Sequence, residues 1–95
     1  MSAGGPECRE KLEILNRLGL HARAAVLLVQ TASKFDAEVL ISKDGLIVSG
    51  RSIMGVMTLA ATQGSTIEVI AKGPQAAEAL EAIRALLAAK FNEPN

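Results

Sequence analysis

His21 is the chain's only imidazole, and it stands two residues after a glycine in the run Leu18-Gly19-Leu20-His21-Ala22-Arg23-Ala24-Ala25-Val26. If Ala22 starts a helix, the ring lies against that helix's first N–H groups and its positive dipole end, where an anion is favoured. The same end disfavours a second positive charge, and a neutral ring is a nucleophile able to take a phosphoryl group through one nitrogen. Arg23 adds a fixed charge suited to phosphate oxygens. The backbone N–H groups of Ala22 and Arg23 would face such a ligand. The plainer alternative is a surface histidine at a helix start beside a solvated arginine.

A second cluster is Arg51-Ser52-Ile53-Met54-Gly55-Val56-Met57-Thr58-Leu59. The Ser52 hydroxyl can accept from a free N–H in the first turn of a following helix, so an ordinary helix cap accounts for it. Ile53, Met54 and Met57 fall on one side of that helix and Val56, Leu59 and Ala60 toward another, so both sides cannot be equally buried. Methionines at such spacing commonly fill a core. Other constellations are weak. Ser52, His21 and an acidic residue lack a nucleophile-elbow pattern. Cys8 and His21 cannot fill a zinc shell, and no glycine-rich nucleotide loop is present. Neither a metal nor a cofactor is expected.

The elements that must position these residues are legible in outline. Lys11-Leu12-Glu13-Ile14-Leu15 alternates as a half-buried strand before the turn at Asn16-Arg17-Leu18-Gly19. Ala22, Ala25, Val26, Val29 and Ala32 mark one face of a helix over 22–33. Glu38 to Ser42 and Leu46 to Ser49 are β-prone runs joined by Asp44-Gly45, a tight hairpin. A short helix is predicted from Ile53 to about Thr62, with Gly64 as its stop, and a strand from Thr66 to Ala71. Pro74 is expected at the first position of a last helix running toward Lys90, whose stripe is Ala76, Ala79, Leu80, Ile83, Leu86 and Leu87. The order βαββαβα predicts an α+β layer structure in which three helices share one face of a four-stranded, mainly antiparallel sheet.

Size and composition narrow the function. Ninety-five residues at 49% hydrophobic content suit one domain with one core. Residues 1–7 read as a flexible lead-in and 8–95 as the domain. Ten basic residues balance ten acidic ones, and Phe35 and Phe91 are the only aromatics. Neither a basic field nor stacking platforms therefore recommend nucleic-acid binding. A single cysteine excludes an internal disulfide. No apolar run is long enough to span a bilayer, so no membrane insertion and a cytoplasmic setting are expected.

Taken together, Gly19-Leu20-His21-Ala22-Arg23, then Ser33-Lys34-Phe35-Asp36-Ala37, then Arg51 to Leu59 closely resemble the HPr family, the histidine-containing phosphocarriers of the bacterial phosphotransferase system. Three motifs in the right order and separation are far more specific than any one, and the resemblance covers nearly all of the chain after the lead-in. It implies an open-faced β-sandwich. It further implies that His21 receives phosphate from phospho-enzyme I and passes it to enzyme IIA domains for sugar uptake, with Arg23 as the active-site arginine. The protein would then be a monomeric carrier rather than an enzyme with turnover.

By the same resemblance Ser52 is a regulatory site for HPr kinase/phosphorylase, and Ile53, Met54 and Met57 are an exposed docking patch. Leu20, Ala24, Arg17 and Arg51 would complete that docking surface. Where family members usually carry proline after the arginine, this chain has Ala24. Two other readings remain: a nitrogen-type paralogue feeding regulatory IIA proteins, and an interaction module in which histidine phosphorylation is vestigial.

Overall fold

A computed structural model describes residues 6–93. The elements are β1 (Glu7–Glu13), α1 (Ala22–Ala32), β2 (Glu38–Lys43), β3 (Leu46–Ser49), α2 (Ile53–Thr58), β4 (Thr66–Lys72) and α3 (Ala76–Ala88), followed by a 3-10 turn over Lys90–Asn92. The predicted βαββαβα order is the observed one. The strands form a single sheet in the order β1-β4-β2-β3, and every neighbouring pair is antiparallel.

Register follows from alternation. Leu12 stands opposite Ile67, Ile41 opposite Val69, and Val39 opposite Ala71. These side chains all point to the face that α3 and α1 cover, and with Ile14, Ala25, Leu28, Val56, Leu80 and Ile83 they make one core. A one-residue slip would carry the whole set to the solvent side. On the other face β1 presents Glu7, Arg9, Lys11 and Glu13, all exposed. Helix α3 lies against β1, β4 and β2, while α1 packs on both α2 and α3. Helix α2 thus sits beside α1 and β3.

Several boundaries differ from expectation for local physical reasons. The first strand begins at Glu7, paired with Lys72, so the last residue assigned to the lead-in already belongs to the sheet; residues 1–5 lie outside the described residues. Ile14 and Leu15 have left the strand, although the Ile14 N–H still donates to Ser65. Helix α2 ends at Thr58 rather than near Thr62, because Ala60 adopts a left-handed φ of 51° that no helix continues through. Pro74 precedes the last helix by two residues, and Gln75 takes the N-cap position.

The buried face of α1 is Ala24, Ala25, Leu28 and Ala32, whereas Ala22 is exposed and Val26 and Val29 are half-buried. Residues 24–29 are apolar on every side, so periodicity could not choose the face there. In α3 the stripe is as predicted apart from Leu86, which is half-buried.

Candidate functional site

Gly19 sets the site's geometry. Its φ is +69°, and a Cβ there would lie 2.4 Å from the Ala61 carbonyl oxygen, a backbone clash that no side-chain adjustment relieves. The next residue, Leu20, donates its N–H to that same oxygen at 2.9 Å. The chain is thereby held against the segment after α2 just before His21. His21 is the N-cap residue of α1, with extended backbone, and its carbonyl accepts the first helical bond from Ala25 at 2.8 Å. Its side chain makes no capping hydrogen bond. The Ala22, Arg23 and Ala24 amides thus stand ahead of the first intrahelical bond, as a helix start dictates.

The ring has a different partner. His21 Nε2 lies 2.5 Å from Glu93 Oε2, and only 8% of the Glu93 side chain is exposed. The same oxygen accepts from Asn16 Nδ2 at 3.1 Å, and Nδ2 also donates to the Gly19 carbonyl at 2.8 Å. The His21 hydrogen bond holds the Glu93 carboxyl below the usual glutamate range; burial opposes this, and the Asn16 hydrogen bond and the Arg23 charge assist it. Glu93 arrives there because Lys90, Phe91 and Asn92 all adopt left-handed φ near 55–59° and Phe91 is buried in the core.

Glu93, His21, Arg23, Arg17 and Leu18 line an open cavity of about 370 Å³. A larger cleft of about 420 Å³ lies elsewhere, around Asp36, Ser49, Arg51 and Lys72, and shares no lining residue with the His21 cavity. No set of three or more metal-ligating side chains occurs among the described residues.

At the second helix start Ser52 Oγ accepts from the Gly55 N–H at 2.9 Å, the predicted cap. Beyond it Ile53, Met54 and Met57 are exposed, Met54 to 78%, while Val56 and Leu59 are core residues. The apolar patch read from the resemblance is therefore on the surface. Ala60, grouped with the inner side by spacing, is exposed because the chain has already left the helix.

Two expected docking residues are not available. Leu20 is buried by the turn that ties it to Ala61, and Ala24 is wholly buried in the face α1 turns to the core. Arg51 is exposed, but its guanidinium donates to the Phe35 and Ala37 carbonyls at 3.1 and 3.2 Å, so part of its donor fork serves the loop between α1 and β2. Arg17 is exposed and lines the His21 cavity.

Sequence reasoning missed Glu93, Asn16 and Leu18. Asn16 read only as a turn residue, and Glu93 is 72 positions from the ring it touches. The one signal for the latter was Phe91, an aromatic just past the last helix with an acid two residues on. Leu18 could have been noticed as a large apolar residue inside a turn; it is 65% exposed beside His21.

Comparison with known proteins bears on the family of the chain. A family model described as "PTS HPr component phosphorylation site" matches residues 8–89. The phosphocarrier protein HPr of Treponema pallidum is 46% identical over 82 residues, covering 86% of this chain and 93% of its own. Phosphocarrier protein NPr of Shewanella violacea is also 46% identical, over 83 residues, covering 87% and 91%. Among solved structures, that of HPr-C-His from Thermoanaerobacter tengcongensis superposes with a TM-score of 0.89 at 42% identity, covering 93% of this chain and 99% of its own.

Proposed function

On the premise that this chain belongs to the HPr family of phosphotransferase-system phosphocarriers, we propose that His21 is the phosphoryl acceptor and that Nδ1 is the accepting atom. The observation that carries this reading is the 2.5 Å contact between His21 Nε2 and Glu93 Oε2. An ionised carboxylate only accepts, so in the neutral ring the proton sits on Nε2 and the lone pair on Nδ1. No hydrogen bond engages Nδ1 among the described residues.

The transfer balances without a general base. The Nδ1 lone pair forms the N–P bond as the bond from phosphorus to the leaving atom of the phospho-enzyme I donor breaks. The Nε2 proton stays in place, and the positive charge gained by the ring is offset by Glu93. The free amides of Ala22 and Arg23 at the start of α1, with the Arg23 guanidinium, bind the transferring oxygens. The reverse sequence delivers the group to an enzyme IIA domain. The protein is in this reading a cytoplasmic, monomeric carrier and not a catalyst with turnover, since its own product is the phosphorylated side chain.

Ile53, Met54 and Met57, with Arg17 and the exposed Leu18, form the surface on which these partners dock. Thioether side chains repack easily, which suits one patch to several partners. Ser52 is the regulatory position for the HPr kinase/phosphorylase: a phosphate there would place about two negative charges at the edge of that patch.

Incubation with phosphoenolpyruvate and enzyme I is expected to give an acid-labile phosphoryl group in the native chain, none in His21→Ala, and a slower appearance in Arg23→Ala with an unchanged melting temperature. Undiminished labelling of His21→Ala would falsify the assignment. The equal identity to an NPr supports a second reading, a nitrogen-type carrier for regulatory IIA proteins. The Ser52 motif favours the sugar-type carrier, and faster phosphorylation by a nitrogen-type donor than by enzyme I would reverse that choice.

A further inference from the structure

Asn16 is a buried polar residue in an otherwise apolar core, with 1% of its surface exposed. Such a group is retained at a cost unless its hydrogen bonds are made. Its Nδ2 makes two, to the Gly19 carbonyl at 2.8 Å and to Glu93 Oε2 at 3.1 Å, while Oδ1 is buried with no partner among the described residues. Both groups facing the amide are acceptors, so only the NH2 side can point at them and the orientation is forced. A role in folding alone accounts for the Gly19 bond, which closes the turn. It does not account for the second bond, made to a residue 77 positions away, or for the unmet Oδ1 that accompanies it.

The carboxyl-terminal segment has a parallel feature. Three consecutive non-glycine residues, Lys90, Phe91 and Asn92, hold left-handed backbone, a conformation costing L-residues about 1–2 kcal/mol each. Burial of Phe91 offsets part of this, at about 1.5–3 kcal/mol for a large apolar side chain. The segment delivers the Glu93 carboxylate onto His21 Nε2, where Asn16 meets it from within the core.

We propose that Asn16 is a positioning residue for the phosphoryl acceptor: its buried side-chain amide fixes the Glu93 carboxylate against His21 Nε2 and so selects the tautomer whose lone pair lies on Nδ1. The proposal rests on the reading that His21 accepts phosphate. Asn16 Nδ2 donates to the Gly19 carbonyl and to Glu93 rather than to the ring. It acts through Glu93, and the Gly19 bond couples that action to the turn that presents His21. Without it the carboxylate would keep its charge but lose its second anchor, and the ring would exchange more freely between its two neutral forms.

The test is the tautomer ratio of the unphosphorylated full chain, read from the 15N shifts of the His21 ring at a pH where it is neutral. The Nε2–H form is expected to dominate in the native chain. In Asn16→Ala the ratio of Nε2–H to Nδ1–H falls roughly fivefold, the weight of one ordinary hydrogen bond. Glu93→Ala produces a fall at least as large, and adding Asn16→Ala to it changes the ratio no further. A folded Asn16→Ala chain with the native ratio overturns the proposal, as does a double variant that moves well beyond Glu93→Ala.

Should Asn16→Ala fail to fold, Asn16→Ser is measured in its place. Hydrogen exchange of the Asn16 side-chain amide supplies a readout in which Asn16 itself is intact. Exchange quickens in Glu93→Ala if the amide anchors the carboxylate, and an unchanged rate sinks the idea. Transfer from enzyme I is scored separately. Failure of the native chain to accept phosphate removes the functional reading while the tautomer result stands, and normal labelling with an unresponsive tautomer removes only the role of Asn16.

Discussion

Two helices in this protein begin with a polar residue in extended backbone, and they use that residue in opposite ways. At α2 the Ser52 hydroxyl accepts from the Gly55 N–H, so the helix start is satisfied from within. At α1 the His21 ring engages Glu93 instead of capping the helix, and the first amides of Ala22 and Arg23 are left ahead of the helical ladder. The first arrangement contributes stability. The second gives some of it up and keeps donors and a nucleophile open to a ligand. A capping side chain and an anion site compete for the same N–H groups, so one helix end cannot serve fully as both.

The comparison is most sharply broken by Gly19→Ala, which removes the turn that aims His21 and has no counterpart in the serine-capped start. With positive φ and a Cβ placed 2.4 Å from the Ala61 oxygen, the substitution is expected to cost roughly 3 kcal/mol or more. Urea denaturation checks this, and a loss below about 1 kcal/mol means the turn yields more easily than the geometry indicates.

Next in size is Ser52→Ala, which removes the cap and is expected to cost about 1 kcal/mol, whereas Ser52→Asp keeps an accepting oxygen and stays near native stability. Enzyme I binding, measured by titration, should fall in Ser52→Asp alone, because only that change adds charge beside the patch. Equal binding by the two variants argues against Ser52 as a switch.

Acid should separate the two ends as well. The Glu93 carboxyl is held below the ordinary glutamate range chiefly by its hydrogen bond to His21. Its contribution is therefore complete above that range and is lost as pH falls through the lower folded value. The carboxyl 13C shift of Glu93 should change in that window, with no change at the Gly55 amide, whose cap has no titrating group. A Glu93 midpoint inside the ordinary glutamate range would mean the contact is not made in solution.

The smallest effect on stability is expected of Met54→Ala. Met54 is 78% exposed, so the melting free energy should move by no more than about 0.5 kcal/mol while affinity for enzyme I drops. A large stability loss would place the side chain in a packing role.

How much of this could be read beforehand depends on the distance over which each feature is decided. Strand and helix identities, the Asp44-Gly45 hairpin and the Ser52 cap all rest on residues within a few positions of one another, and they were legible. The buried face of α1 was not, because residues 24–29 are apolar on all sides and only packing on α2 and α3 selects Ala24 and Leu28 for the core. The early end of α2 was hidden for a related reason: Ala60 is a good helix former, and its left-handed turn follows from where Leu59 and Ala61 must bury.

The site divides along the same line. Gly19, His21 and Arg23 lie within five positions, so the sequence alone determined that a nucleophile and a cation stand at a helix start. The tertiary structure decided what the nucleophile faces. Glu93 meets the ring across 72 residues and meets Asn16 across 77, and Leu20 and Ala24 leave the surface only once the turn and α1 have docked. Local chemistry is written in neighbouring residues through backbone periodicity. Which ring nitrogen is engaged depends on the closing of the whole core, because only Phe91 packing into it brings the Glu93 carboxylate within reach.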